Sequence, residues 1–278
     1  MVVIHQADVL YMQNWDHVNF ILSKCNKLPQ TDHNSEFFRI RPYFLNEKGY
    51  EHRQLIMTSH FNESKIQGFF REFGKSCSGT VWVKKNWGDG DIGSVYSKVH
   101  QVFQSFPCSS FETEHDDRFN FFSKRMLTQL VKMNHCHTMI IAPSYFSYVR
   151  IRNELLRLEA NASFICEYSR ESEISRSRSN FFHGKTSILL YSGRFHFFRR
   201  FKIRGALHVI FYALPEYPHF FSEIVNNLGN GLNDSIKSAG ASCSVLISKF
   251  DKLSLERVVG VDRCEDILSS KKSVFMLD

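Results

Sequence analysis

The sequence contains no CxxC pair and no GxxxxGK(S/T) loop, and nowhere does it approach the roughly 20 apolar residues needed to cross a bilayer. Its seven cysteines, Cys25, Cys77, Cys108, Cys136, Cys166, Cys243 and Cys264, are odd in number and scattered. That argues against a disulfide framework and a zinc ribbon, and it fits a reducing compartment. His135, Cys136 and His137 stand together, but adjacent strand residues face opposite sides and no second ligand pair accompanies them, so no metal is expected. The opening MVVIHQADVLYM has neither a basic segment nor a long apolar run. A soluble, intracellular protein without a membrane partner is the expectation. Without the phosphate loop, the chain lacks the amides and lysine that hold a nucleotide. The glycine-rich GDGDIG at Gly88 to Gly93 has no lysine and carries two aspartates that would repel phosphate, so it reads as a turn cluster.

What is present is a chain of 278 residues, 43% hydrophobic, with 27 Phe, enough for one large or two ordinary domains. The 35 Lys+Arg against 28 Asp+Glu give a formal charge of +7, a balance that leans toward a polyanionic partner. Apolar strand patterns alternate with helix-like stretches, the signature of α/β architecture with mostly parallel sheets. The expected strands are Val2 to Ile4, Arg53 to Met57, Thr138 to Ala142, Phe164 to Cys166, Ile188 to Tyr191, Val209 to Tyr212 and Cys243 to Ile247. The expected helices are Val18 to Ser23, Asn62 to Phe70, Asp117 to Met133, Tyr145 to Ala160, Ile174 to His183 and Phe220 to Asn227. A boundary near Phe111 to Asp116 would divide the chain into units 1–110 and 111–278.

Between Ile188 and Leu214 two buried-strand patterns flank a crowded segment. Arg194, Arg199, Arg200, Lys202 and Arg204 are interleaved with Phe195, Phe197, Phe198 and Phe201, and His196 lies among them. Cations neutralise phosphates and rings stack on unpaired bases; equally, the rings can be core and the charges a solvated rim. Phe195, Phe197 and Phe198 are read as packing residues, because alternate residues of such a stretch face inward. Arg176 and Arg178 are secondary candidates, and Arg150 and Arg152 either extend the patch or line a solvated helix face.

Two RecA-like units in tandem are how helicases are built, and several segments follow that order. VVIHQAD resembles the strand that ends in the DEAD-type sequence, with His5 for the Asp that holds magnesium, Gln6 for the catalytic Glu, and Ala7 and Asp8 matching. A neutral amide is no general base, and histidine is a poor ligand for magnesium. LIMTSHF at Leu55 to Phe61 sits where helicases carry Ser-Ala-Thr. MIIAPSYFSYVR at Met139 to Arg150 resembles the strand and helix that open the second unit. Pro143, Ser144 and Tyr145 there are candidate phosphate contacts through free amides, and Ser144 serves as well as a helix N-cap. Arg204 and Gly205 close the place of the motif that touches RNA and nucleotide. The stretch LPEYPHFFSEIVNNLGNGL that follows has no arginine, where active helicases place the fingers that stabilise phosphoryl charge.

The runs ADVLYMQNWDHV (Ala7 to Val18), PSYFSYVRIRN (Pro143 to Asn153), ICEYS (Ile165 to Ser169) and ISRSRSNFFHG (Ile174 to Gly184) carry a family resemblance. So do GRFHFFRRFKIRG (Gly193 to Gly205), LPEYPHFFSEIVNNL (Leu214 to Leu228) and VLISKFDKLSLERVVGVDR near the C-terminus. Together they resemble the digestive-organ expansion factor family, also called the U3 small nucleolar RNA-associated protein 25 family. The resemblance implies tandem RecA-like units, the first incomplete, in a DEAD-box-like protein without catalysis or cofactor. It implies a nucleolar assembly factor of the small-subunit processome, whose partners are U3 snoRNA, pre-rRNA and processome proteins, with no small-molecule substrate. It would support the early cleavages that yield 18S rRNA. Members carry an acidic N-terminal region and a full first RecA-like domain before the QAD segment, so this chain is expected to match their C-terminal part, with an exposed sheet edge in the first unit. Ser192 and Gly193 stand where members typically show Thr-Glu, which removes a charge beside the basic segment. The alternatives are an ATP-dependent helicase whose nucleotide loop lies upstream, and a protein-docking scaffold whose basic patch binds an acidic tail.

Overall fold

The computed structural model describes residues 1–27, 36–132, 137–237 and 240–277, and the chain divides into two units, Met1–Asn86 and Trp87–Asp278. In the first, β1 (Val2–Ile4) lies parallel to β2 (Leu55–Met57), with Val2 opposite Leu55 and Ile4 opposite Met57. Around this pair run α1 (Ala7–Met12), α2 (Trp15–Lys24), the single turn α3 (Pro42–Leu45) and α4 (Ser64–Phe73). Asn14 starts α2 by accepting a hydrogen bond from the Asp16 N–H, 3.2 Å away. Ile66, Phe69, Phe70 and Phe73 repeat at helical spacing along α4 and meet Ile4, Ala7, Leu22 and Leu55 in the core of this unit.

The second unit is a seven-stranded sheet of β3 (Val99–Ser105), β4 (Thr138–Ala142), β5 (Ala162–Ile165), β6 (Ile188–Ser192), β7 (His208–Phe211), β8 (Ala241–Ile247) and β9 (Val274–Leu277), in the order β5-β6-β4-β7-β8-β3-β9. All pairs are parallel except β3 with β9, so the mostly parallel α/β architecture expected of RecA-like units is present. Every residue of β4 and β6 is buried, which explains their unbroken apolar runs: both faces of a central parallel strand are covered.

The period of two sorts these strands onto two cores. Met139, Ile141, Leu189, Tyr191, Val209 and Phe211 face one side, where α8 (Glu171–Phe182), α10 (His219–Val225), α12 (Lys252–Val259) and α13 (Val261–Ser269) pack through Phe181, Phe221, Val258 and Ile267. Ile140, Ile188, Leu190 and Ile210 face the other, against α5 (Glu114–Phe121), the π-helical segment Phe122–Leu127, α6 (Thr128–Lys132) and α7 (Tyr145–Arg157). Two further short helices, α9 (Gly193–Arg199) and α11 (Asp234–Lys237), follow β6 and precede β8.

The division of the chain falls at 86/87 instead of near 111–116, because Val99–Ser105 pairs with both β8 and β9 inside the second sheet. That strand, VHQVFQS, breaks the period of two with the polar pairs His100–Gln101 and Gln104–Ser105, and its Gln101 is nonetheless buried. The segment after β6 is a helix and not an extended stretch. Ser192 caps it by accepting from the Phe195 N–H at 3.4 Å, and Arg200 ends it in the left-handed conformation, φ 47. GDGDIG opens as a turn, as expected, and runs into the 3-10 turn Asp91–Ser94; its Gly90 has a packing reason. At Gly90 (φ +73) a Cβ would lie 2.4 Å from the Gly260 nitrogen, and at Gly260 (φ +92) one would lie 2.3 Å from the Gly88 carbonyl.

Candidate nucleic-acid interface

Parallel strands deliver their carboxyl ends to one edge of a sheet, which is where such folds place ligands. After β4, Ser144 caps α7, its Oγ accepting from the Ser147 N–H at 3.2 Å. Tyr145 behind it packs edge-on against Tyr168, with ring centroids 4.8 Å apart. The N-cap reading of Ser144 is therefore the geometry observed, and Ser144 and Tyr145 both lie at this edge. After β6, the Ser192 hydroxyl donates to Glu167 Oε2 at 2.8 Å, tying the ends of β5 and β6 together. A Cβ on Gly193 would stand 3.3 Å from the Ala142 carbonyl, so the ends of β6 and β4 also approach closely.

The cations and the histidine expected from sequence to meet RNA separate into groups. Arg176, Lys202 and Arg204 are exposed, and among the described residues they make no ion pair. Arg199 pairs with Glu171; Arg200 reaches Glu223 at 3.4 Å, contacts His219, and lies 4.8 Å over the Phe220 ring. Arg178 lies 4.7 Å over Phe201, and Arg194 stands 3.9 Å from Glu167. The side chains of Arg194, Arg199 and Arg200 remain 45–52% exposed in their ion pairs. Exposed pairs of this kind are worth about 0–1 kcal/mol, so exchange for a phosphate costs little. Arg150 turns to Asp116 at 2.8 Å and lies 4.3 Å over Phe119.

His196 is a correction. It is buried, with Nδ1 3.2 Å from the Tyr191 hydroxyl, Nε2 3.5 Å from Glu223, and its ring edge-on to Phe220 at 4.8 Å. Burial pushes its pKa down, against the pull of Glu223, so it belongs to the core and is not offered to a phosphate. The helical spacing decides the rings too. Phe195 is buried and Phe197 packs on Tyr217 at 5.2 Å, as expected of packing residues, but Phe198 is 60% exposed.

In the first unit, VVIHQAD and LIMTSHF are joined through β1 and β2. His5 Nδ1 lies 2.8 Å from Thr58 Oγ1, the Gln6 N–H donates to that oxygen at 3.3 Å, and the Ala7 N–H donates to the Thr58 carbonyl at 2.8 Å. Ala7 and Asp8 are buried. Asp8 accepts from the His60 N–H at 3.2 Å and pairs with the His60 ring at 3.0 Å.

Sequence reasoning missed Arg118. This buried side chain donates to Glu114, to Asp251 at 2.6 Å, and to the carbonyls of Tyr212 and Leu246 at 3.0 and 3.2 Å, locking α5 to the ends of β7 and β8. Its partner Asp251 is 133 residues away in the chain, so no local pattern announces the contact. His135 and Cys136 lie outside the described residues. His137 is buried with Nδ1 2.7 Å from the Gly205 carbonyl. Among the described residues no His, Cys, Asp and Glu group could hold a metal ion, and no helix is long and apolar enough to cross a membrane.

Comparison with known proteins follows the same two-unit division. The chain is 37% identical over 276 residues to the human U3 small nucleolar RNA-associated protein 25 homolog, covering 99% of this chain and 36% of that protein. To the U3 small nucleolar RNA-associated protein 25 of Schizosaccharomyces pombe it is 34% identical over 274 residues, covering 98% of this chain and 42% of that one. The chain thus spans well under half the length of these relatives. Among solved structures, a DEAD box protein from the hyperthermophile Methanococcus jannaschii superposes with a TM-score of 0.45 at 14% identity, covering 97% of this chain and 58% of that chain. Residues 1–81 match the family model for the UTP25 NTP hydrolase-like domain, and residues 91–277 match the model for the Utp25 C-terminal domain. The chain belongs to the Utp25 family.

Proposed function

We propose that this chain is an RNA-associated assembly element of the small-subunit processome that works without ATP hydrolysis, in the nucleolus, supporting the early pre-rRNA cleavages that lead to 18S rRNA. The observation that carries the reading is the set of exposed cations Arg176, Lys202 and Arg204, which make no ion pair among the described residues, together with the half-exposed Arg194, Arg199 and Arg200, in a chain whose relatives are named for association with U3 small nucleolar RNA. Such cations take up phosphate by displacing counterions, which requires exposure and no base readout. The absence of turnover is supported by chemistry in the first unit. His5 and Gln6 stand in the place of magnesium-binding and base carboxylates, and a histidine and a neutral amide supply neither chemistry. In the second unit, the arginine-free stretch after β7 folds as α10, and Arg200 is held against Glu223.

The test is recovery of U3 small nucleolar RNA on a tagged copy of the protein in cells, comparing native residues with the Arg176→Ala, Lys202→Ala, Arg204→Ala variant. A severalfold loss of U3 at equal protein level is expected. Undiminished recovery with the folded variant overturns the assignment of these cations and favours a protein-docking surface.

A further inference from the structure

The carboxyl edge of the sheet holds more than charge. Three large rings there stand in solvent: Phe146 at the start of α7 (83% exposed), Tyr168 after β5 (67%) and Phe198 on α9 (60%). They follow β4, β5 and β6, three strands adjacent in the order β5-β6-β4. Exposed large rings gathered at one ligand edge are unusual for a surface that meets only water. Two of the rings are also held in place. Tyr168 is braced edge-on by Tyr145 at 4.8 Å, and Phe198 lies 6.0 Å beneath the Arg194 guanidinium. Arg194 in turn stands 3.9 Å from Glu167. The Glu167 carboxylate is itself positioned by the Ser192 hydroxyl through Oε2, while its Oε1 is buried without a hydrogen-bond partner.

We infer that Phe146, Tyr168 and Phe198 form a stacking platform for unpaired bases of single-stranded RNA, with Arg194 carrying the adjoining phosphate. This rests on the RNA reading above and adds the strandedness of the ligand and the groups that read it. Rings and cations in alternation are what a single strand needs, since every base offers a π-face and every linkage a negative charge. A duplex hides its base faces, so these rings select against it. Fixed rings bind better than mobile ones because less side-chain freedom is lost on contact. The patch commits to nucleic acid over an apolar protein segment because the rings are interleaved with Arg194 and flanked by Arg199, whose half-exposed ion pairs with Glu167 and Glu171 can be exchanged for phosphate at little cost, whereas an apolar partner would have to bury both pairs.

The experiment measures binding of the whole chain to three fluorescent probes of equal charge: oligouridylate, an abasic oligoribonucleotide of the same length, and a blunt RNA duplex with the same number of phosphates. Native protein should bind oligouridylate about tenfold or more above the other two, and Tyr168→Ala with Phe198→Ala should erase that preference while leaving the salt slope unchanged. Tyr168→Trp with Phe198→Trp should retain the preference, which separates loss of stacking from loss of fold. Equal binding of the three probes by native protein overturns the platform while leaving the phosphate reading intact. An unaltered preference in the folded alanine variant overturns it as well, and assigns the rings to a protein partner. Failure of native protein to bind any probe overturns the RNA reading itself.

Discussion

Asp8 and His60 face each other across the first unit, the carboxylate accepting from the His60 N–H at 3.2 Å and meeting its ring at 3.0 Å. The aspartate is 1% exposed, so its charge depends on these partners for what water would otherwise supply. Asp8→Ala removes both contacts to the half-exposed His60, whose donors water can take up, and should cost about 0.5–1.5 kcal/mol locally. Hydrogen exchange at β1 and β2 is the readout: protection there should fall while protection in β4 and β6 is unchanged. Unaltered exchange at β1 would mean the pair is not structural.

Arg118 should be the most sensitive charged position in the second unit. Its removal strands Glu114 and Asp251 and frees two strand-end carbonyls. Breaking a buried pair from one side costs about 3–5 kcal/mol. Arg118→Met is expected to lower the urea midpoint sharply, while Arg150→Met, which removes the exposed Asp116 pair and the cation–π contact with Phe119, should shift stability by less than about 2 kcal/mol. Equal effects would contradict the buried network.

His196 links stability to pH. Burial holds its folded pKa below the ordinary value, with Glu223 pulling upward and Arg200 and His219 pushing down. The unfolded chain therefore takes up this proton first as pH falls, so the favourable contribution is fully present above about 6.5 and is lost below it. His196→Phe, which keeps an aromatic beside Phe220, should flatten stability below about pH 6.5 relative to the native chain. A native profile already flat in that window would show that the histidine charges without cost.

Much of the fold was legible because its central strands are buried on both faces: TMIIA and ILLYS cannot be anything polar. β3 was not, because its polar residues His100, Gln101, Gln104 and Ser105 leave neither an apolar run nor a period of two. The placement of the unit boundary depended on that one strand. For the site, residue type was readable and orientation was not. Arg194, Phe195, His196, Phe197 and Phe198 look alike as a run, and only the helix opened by Ser192 turns Phe195 and His196 inward and Arg194 and Phe198 outward. Pairing was equally hidden: Arg200 meets Glu223 across a loop and a helix, whereas Lys202 and Arg204 stay unpaired among the described residues. The resemblance to the U3 small nucleolar RNA-associated protein 25 family was carried by long runs such as GRFHFFRRFKIRG, and needed no geometry at all.

The measurement that tests the account most directly is the salt dependence of binding to a single-stranded ribosomal-spacer RNA by the native chain and by the Arg176→Ala, Lys202→Ala, Arg204→Ala variant. If these cations hold phosphates, the log-log slope becomes shallower by about 0.7 for each phosphate no longer neutralised, approaching about 2 for all three. An identical slope in a variant that remains folded would contradict phosphate binding by Arg176, Lys202 and Arg204.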